Sequence, residues 1–110
     1  MSKFDPDRIY AKLIEVGHSW ADKEAAAELL EETKKVVLAE LTLMQLKAAS
    51  SRAEAEQQAL ALPEYRDHLN SMTAARKAAN RARVDYDSIR ALMEMRRTQE
   101  STRRAEAQLV

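Results

Sequence analysis

Five arginines, Arg76, Arg83, Arg90, Arg97 and Arg104, recur at every seventh position of the 110-residue chain. A guanidinium group stays charged at physiological pH and binds carboxylate or phosphate through two parallel hydrogen bonds. On a helix of 3.6 residues per turn, a repeat of seven holds all five on one slowly drifting stripe. Three kinds of chemistry suit such a stripe. It can be a solvated face laced with ion pairs: Asp87 lies near Arg83 and Arg90, Glu94 near Arg90 and Arg97, and Glu100 near Arg97 and Arg104. Exposed pairs of that kind contribute only ~0.2–0.5 kcal/mol each. It can flank an interface and pair with glutamates of another helix. It can follow a phosphate backbone, since each step of seven residues rises about 10 Å.

Other reactive constellations are absent from the sequence. His18 and His68 are the only histidines, and neither has a second ligand at metal spacing; Glu64 and His68 share a helix face and read as a surface pair. There is no glycine-rich phosphate loop and no nucleophile elbow. Asp85 and Asp87 are two apart and point to different sides of a helix. Ser101 and Thr102 have no base beside them. The expectation is a protein without catalytic residues, metal or cofactor. With no cysteine there is no disulfide framework, and no apolar run approaches the roughly 18 residues of a membrane span. Asp5 and Asp7 stand where a signal peptide would be basic or apolar, so a soluble, cytoplasmic protein without a membrane partner is expected.

The elements that must carry the arginines follow from composition and periodicity. One glycine, two prolines and 33% charged residues are the composition of long helices or coiled coils. From Pro63 to Leu109 there is no glycine and no further proline, so one long helix is predicted over about 63–108. Tyr65, Met72, Ala79, Tyr86 and Met93 repeat every seven residues along it as an apolar stripe beside the arginines. A second amphipathic helix is predicted over about 20–61, with Ala26, Leu30, Val37, Leu41 and Met44 on its inner face, widened by Leu29, Val36 and Leu43. Ser50-Ser51 interrupts this pattern; Ser51 with Glu54 could cap a separate helix over Arg52–Leu60, but continuity is preferred because nothing there forces a turn. A short helix over 6–16 starts at Asp5-Pro6-Asp7 and is expected to end at Gly17, with Ser19 capping the next helix and Trp20 anchoring the joint.

Leu62-Pro63 is the firm break, and a short connection makes the flanking helices antiparallel neighbours. The expected fold is therefore all-α: a single domain built as a long antiparallel helical hairpin with a short N-terminal helix and coiled-coil-like packing. Much of the apolar content is alanine, which buries little area, so homo-oligomerisation is expected to complete the core. Trp20, Leu30, Val37, Leu41, Met72, Tyr86 and Met93 are the candidate packing and oligomer contacts.

Charge divides along the chain. Residues 1–62 carry eight Lys/Arg against eleven Asp/Glu, and residues 63–110 carry ten against seven. Between Arg76 and Arg104 nine basic residues face four acidic ones, a net of +5. That excess suits an acidic partner helix or a polyanion. Only Tyr65 and Tyr86 are aromatic on this helix, and seam spacing places both in packing.

Residues 79–87, Ala-Asn-Arg-Ala-Arg-Val-Asp-Tyr-Asp, and residues 94–106, Glu-Met-Arg-Arg-Thr-Gln-Glu-Ser-Thr-Arg-Arg-Ala-Glu, resemble the C-terminal part of small all-helical phage and prophage proteins, as does Leu62-Pro63-Glu64-Tyr65-Arg66. The resemblance covers about half the chain. Such proteins accompany recombination and replication functions, and the analogy is with recombination mediators of the UvsY kind. It implies an oligomeric accessory that binds single-stranded DNA beside a recombinase or single-strand-binding protein in the host cytoplasm. The charge and spacing of Arg76, Arg83, Arg90, Arg97 and Arg104 make them the candidates for the phosphate contacts. The alternative is a coiled-coil adaptor or structural protein acting only through protein–protein contacts.

Overall fold

In a computed structural model, which describes residues 5–109, the chain is an all-α hairpin 87 × 22 × 17 Å in extent. Four helices follow in order: α1 (Pro6–Glu32), α2 (Lys34–Gln45), α3 (Arg52–Leu60) and α4 (Pro63–Gln108). No strand is present among the described residues. α1 and the greater part of α4 lie side by side and antiparallel as the two arms. α2 continues α1 toward the tip, where α3 doubles back on it before α4 begins.

α1 starts as its sequence dictates. Asp5 has extended backbone angles and its carboxylate accepts from the amides of Asp7 and Arg8, while Pro6 occupies the first turn. It does not end at Gly17. The helix runs through Gly17, His18 and Ser19 to Glu32, so the short helix over 6–16 and the joint at Ser19 are replaced by one 27-residue arm. Gly17 has no positive φ. It faces α4: a Cβ there would stand 3.4 and 3.5 Å from two ring carbons of Tyr86, at ordinary contact distance.

The predicted helix over 20–61 is interrupted twice. At Thr33 the hydroxyl donates to the Leu29 carbonyl at 2.9 Å, a side-chain competition with the helix ladder that bends helices. His68 Nε2 lies 2.9 Å from the Leu30 carbonyl. A carbonyl can only accept, so Nε2 carries the proton and α4 ties down the end of α1. The second break is at residues 46–51. Ser51 is extended and its hydroxyl accepts from the Glu54 amide at 3.1 Å, while the Glu54 carboxylate accepts from the Ser50 amide and hydroxyl. These bonds hold the Glu54 carboxyl below its ordinary pKa. The capped α3, and not the continuous helix, is what forms.

The core is thin. At the tip Leu41, Ala59 and Tyr65 are buried, with Val37, Leu38, Leu62 and Leu69 packed around them. The residues wholly excluded from water are alanines: Ala27, Ala55, Ala59 and Ala79. Ala26 is exposed and Ala27 takes its place in the seam; Met44, Leu29, Val36 and Leu43 also face solvent, so the inner face of α1 and α2 is narrower than its composition suggests. On α4 the inward stripe is present throughout, with Tyr65 and Ala79 buried and Met72, Tyr86 and Met93 half-buried.

Candidate functional site

Two features of the hairpin carry chemistry: the arginine flank of α4 and an apolar strip on α1. They lie beside each other because of a shared register. The arginine row sits one turn beyond Met72, Ala79, Tyr86 and Met93, at the edge of the seam. Arg76 fixes its level against α1. Its Nε donates to one Glu31 carboxylate oxygen at 3.0 Å and Nη2 to the other at 2.6 Å, while Nη1 reaches Glu24. The Glu31 bond, followed by the Glu24 bond, raises the Arg76 pKa, and the same Arg76 bond lowers the Glu31 carboxyl from its ordinary value. Arg76 is thus an inter-helix clamp, with each of its three guanidinium nitrogens bonded to a carboxylate of α1.

Glu24 and Glu31 are seven apart, and so are Tyr10, Gly17 and Glu24. Because the arms are antiparallel, each step of seven forward on α4 is a step of seven back on α1. Arg76 lies between Glu31 and Glu24; Arg83 therefore falls between Glu24 and Gly17, and Arg90 between Gly17 and Tyr10. Independent contacts agree with this register: Tyr86 meets Gly17 and Trp20, and Pro6 shares a groove with Met93 and Arg97. The opposing row is acidic near the tip and then changes to glycine and tyrosine. Of the five arginines, Arg76 is the one that pairs with carboxylates of α1 among the described residues.

The other arginines divide accordingly. Arg90 and Arg104 form exposed pairs with Glu94 and Glu100 of their own helix, at 3.5 and 3.7 Å. Arg83 and Arg97 make no ion pair among the described residues. The five arginines named from the sequence are therefore not one uniform track. One is structural, two are paired along the helix, and two are open.

The packing residues named from the sequence come together in pairs. Trp20 and Tyr86 stack at a centroid distance of 5.4 Å with rings tilted by 39°. The indole Nε1 is buried without a hydrogen-bond partner among the described residues. Leu30 and Val37 are half-buried along the α1–α2 side, and Leu41 is 8% exposed at the tip. Sequence reasoning missed His68: it was read with Glu64 as a surface pair, whereas it binds Leu30 across the hairpin. The signal available was its position, three residues beyond Tyr65 and so on the seam side of α4.

The strip on α1 is the feature periodicity did not separate from the core. Tyr10, Ile14, Ala21, Ala25 and Leu29 follow one another at spacings of four, seven, four and four, and all are exposed. Tyr10 is 56% and Leu29 61% exposed. The Tyr86 ring forms one wall of the shallow groove beside them. No helix among the described residues is long and apolar enough to cross a membrane, and no group of three or more metal-ligating side chains comes together there. No protein-family model, curated protein or solved structure matches the chain.

Proposed function

We propose that this chain is a non-catalytic helical assembly module that works by packing its arms against another helical surface. The observation that carries the reading is the distribution of apolar side chains. Alanines fill the seam, while Tyr10, Ile14, Leu29, Val36, Leu43 and Met44 are left in water on α1 and α2. Burying a large aliphatic side chain contributes about 1.5–3 kcal/mol, so a partner that covers this row gains more than the alanine seam does per residue. Large apolar side chains left exposed in number along one pair of helices are what an interaction surface supplies. Sedimentation equilibrium at micromolar concentration is expected to show more than one subunit, or a monomer that becomes part of a defined hetero-complex. A chain that stays monomeric and binds no helical protein removes the reading.

A second reading is favoured by one specific observation: Arg83 and Arg97, exposed on the flank of α4, make no ion pair among the described residues. An oligomer would repeat these open guanidinium groups and add their phosphate contacts on one strand of single-stranded DNA, as an accessory in recombination or replication would. Binding would then fall steeply with salt and grow with strand length. Changing Arg83, Arg90 and Arg97 together to Gln removes the charge while keeping helix propensity. Unchanged DNA binding by this variant, or no binding by the parent at low salt, removes the nucleic-acid reading.

A further inference from the structure

From the order of charge and size along the α1 strip, we infer that its occupant is the same strip of a second copy, packed antiparallel about a two-fold axis at Ala21. This rests on the assembly reading and names its surface.

The strip runs about 28 Å from Tyr10 to Leu29, at 1.5 Å per residue. Its ends are large and its middle small: Tyr10 and Ile14 lie at one end, Leu29 at the other, and Ala21 and Ala25 between them, all exposed. Small residues in the middle let two helix backbones approach, and larger ones then close the ends. An isologous contact requires that residues on either side of the axis complement each other. With Ala21 on the axis, position i of one copy faces position 42 − i of the other. Ile14 then falls beside Ala25 and Leu29 of the second copy. Tyr10 comes level with Glu32, whose exposed carboxylate can accept from the phenol hydroxyl.

Charge makes the same demand. Within one chain Arg76 is already paired with Glu24 and Glu31, and the arginines beyond it lie away from the acidic part of the strip. Arg90 is level with the Tyr10–Gly17 end, while Glu28 and Glu32 occupy the end nearest the tip, exposed and without an ion pair among the described residues. Inverting a second copy brings its Glu28 level with Arg90 of the first, and the two-fold repeats the contact. A parallel arrangement would instead set Glu28 beside Glu28 and Arg90 beside Arg90, where like charges repel. Arg90, paired within the chain only with the exposed Glu94 of its own helix, and the exposed apolar row are therefore answered by one surface.

The native chain has no cysteine, so introduced thiols report the contact without background. Ala21→Cys is expected to give a disulfide-linked dimer on mild oxidation, and Asn80→Cys, exposed on α4, is expected to stay unlinked. Orientation is read from a mixture: Ile14→Cys and Glu28→Cys should link to each other and neither to itself. Charge is read by reversal, with Arg90→Glu weakening association and Arg90→Glu/Glu28→Arg restoring it. Self-linking of Ile14→Cys, or failure of the mixed pair to link, overturns this arrangement. If the parent nevertheless sediments as an oligomer, the assembly reading stands with a different surface. If the parent is monomeric and finds no helical partner, both fall.

Discussion

Replacing Gly17 by alanine tests how α1 meets α4. In an uninterrupted helix, glycine costs about 1 kcal/mol relative to alanine because it loses more backbone freedom on folding. The counterweight is contact with Tyr86. The added methyl would stand 3.4 and 3.5 Å from Cε2 and Cδ2 of the ring, which is ordinary van der Waals contact. No backbone or ring shift is required, and φ at Gly17 is not positive. The propensity term therefore dominates, and Gly17→Ala is expected to stabilise by about 0.5–1 kcal/mol, a rise in Tm of roughly 2–4 °C for a chain of this size. Gly17→Leu places further carbons inside the Tyr86 ring and should cost about 1–3 kcal/mol by displacing the Trp20–Tyr86 stack. Thermal melts followed by helix circular dichroism, at matched protein concentration, measure both. If Gly17→Ala lowers Tm, the glycine is terminating a helix in the left-handed conformation, and α1 is not one continuous arm.

Three other outcomes follow from particular contacts. Leu41→Ala removes the central side chain of the tip core, and with Leu41 buried against Ala59 and Tyr65 the loss should be about 2–4 kcal/mol in urea unfolding; a change below ~1 kcal/mol would mean α2 and α4 are not packed there. Ser51→Ala deletes the cap of α3 and should cost about 1 kcal/mol, with faster amide exchange confined to residues 52–60; no change in exchange would speak against a separate α3. The Glu31 carboxyl is held below its ordinary pKa by Arg76, so its contribution to stability is present above that ordinary value and is lost as pH falls through the lower, folded value. Acid titration of the melt should therefore show a decrease below about pH 4.5 that is smaller in Arg76→Gln; an identical profile in the variant would remove the clamp.

What could be read from the sequence is what depends on local backbone chemistry and period. Asp5-Pro6 at the start of α1, Leu62-Pro63 at the start of α4 and the unbroken course of α4 to Gln108 follow from proline geometry, a carboxylate cap and the absence of breakers. The seven-residue stripe of Tyr65, Met72, Ala79, Tyr86 and Met93 identified the inward face of α4 for the same reason: period is a property of one helix. Three outcomes needed the other arm. Gly17 is locally a helix stop, and the helix runs through it where α1 packs along α4, facing the Tyr86 ring. Thr33 is locally neutral, and the end of α1 beside it is held by His68, which bonds the Leu30 carbonyl from 38 residues further along the chain. The five arginines are equivalent by spacing, but antiparallel pairing puts carboxylates on both sides of Arg76, Glu24 and Gly17 beside Arg83, and glycine and tyrosine beside Arg90. A repeat within one helix specifies which side chains share a face. What that face meets is set by register between helices, which only the folded hairpin contains.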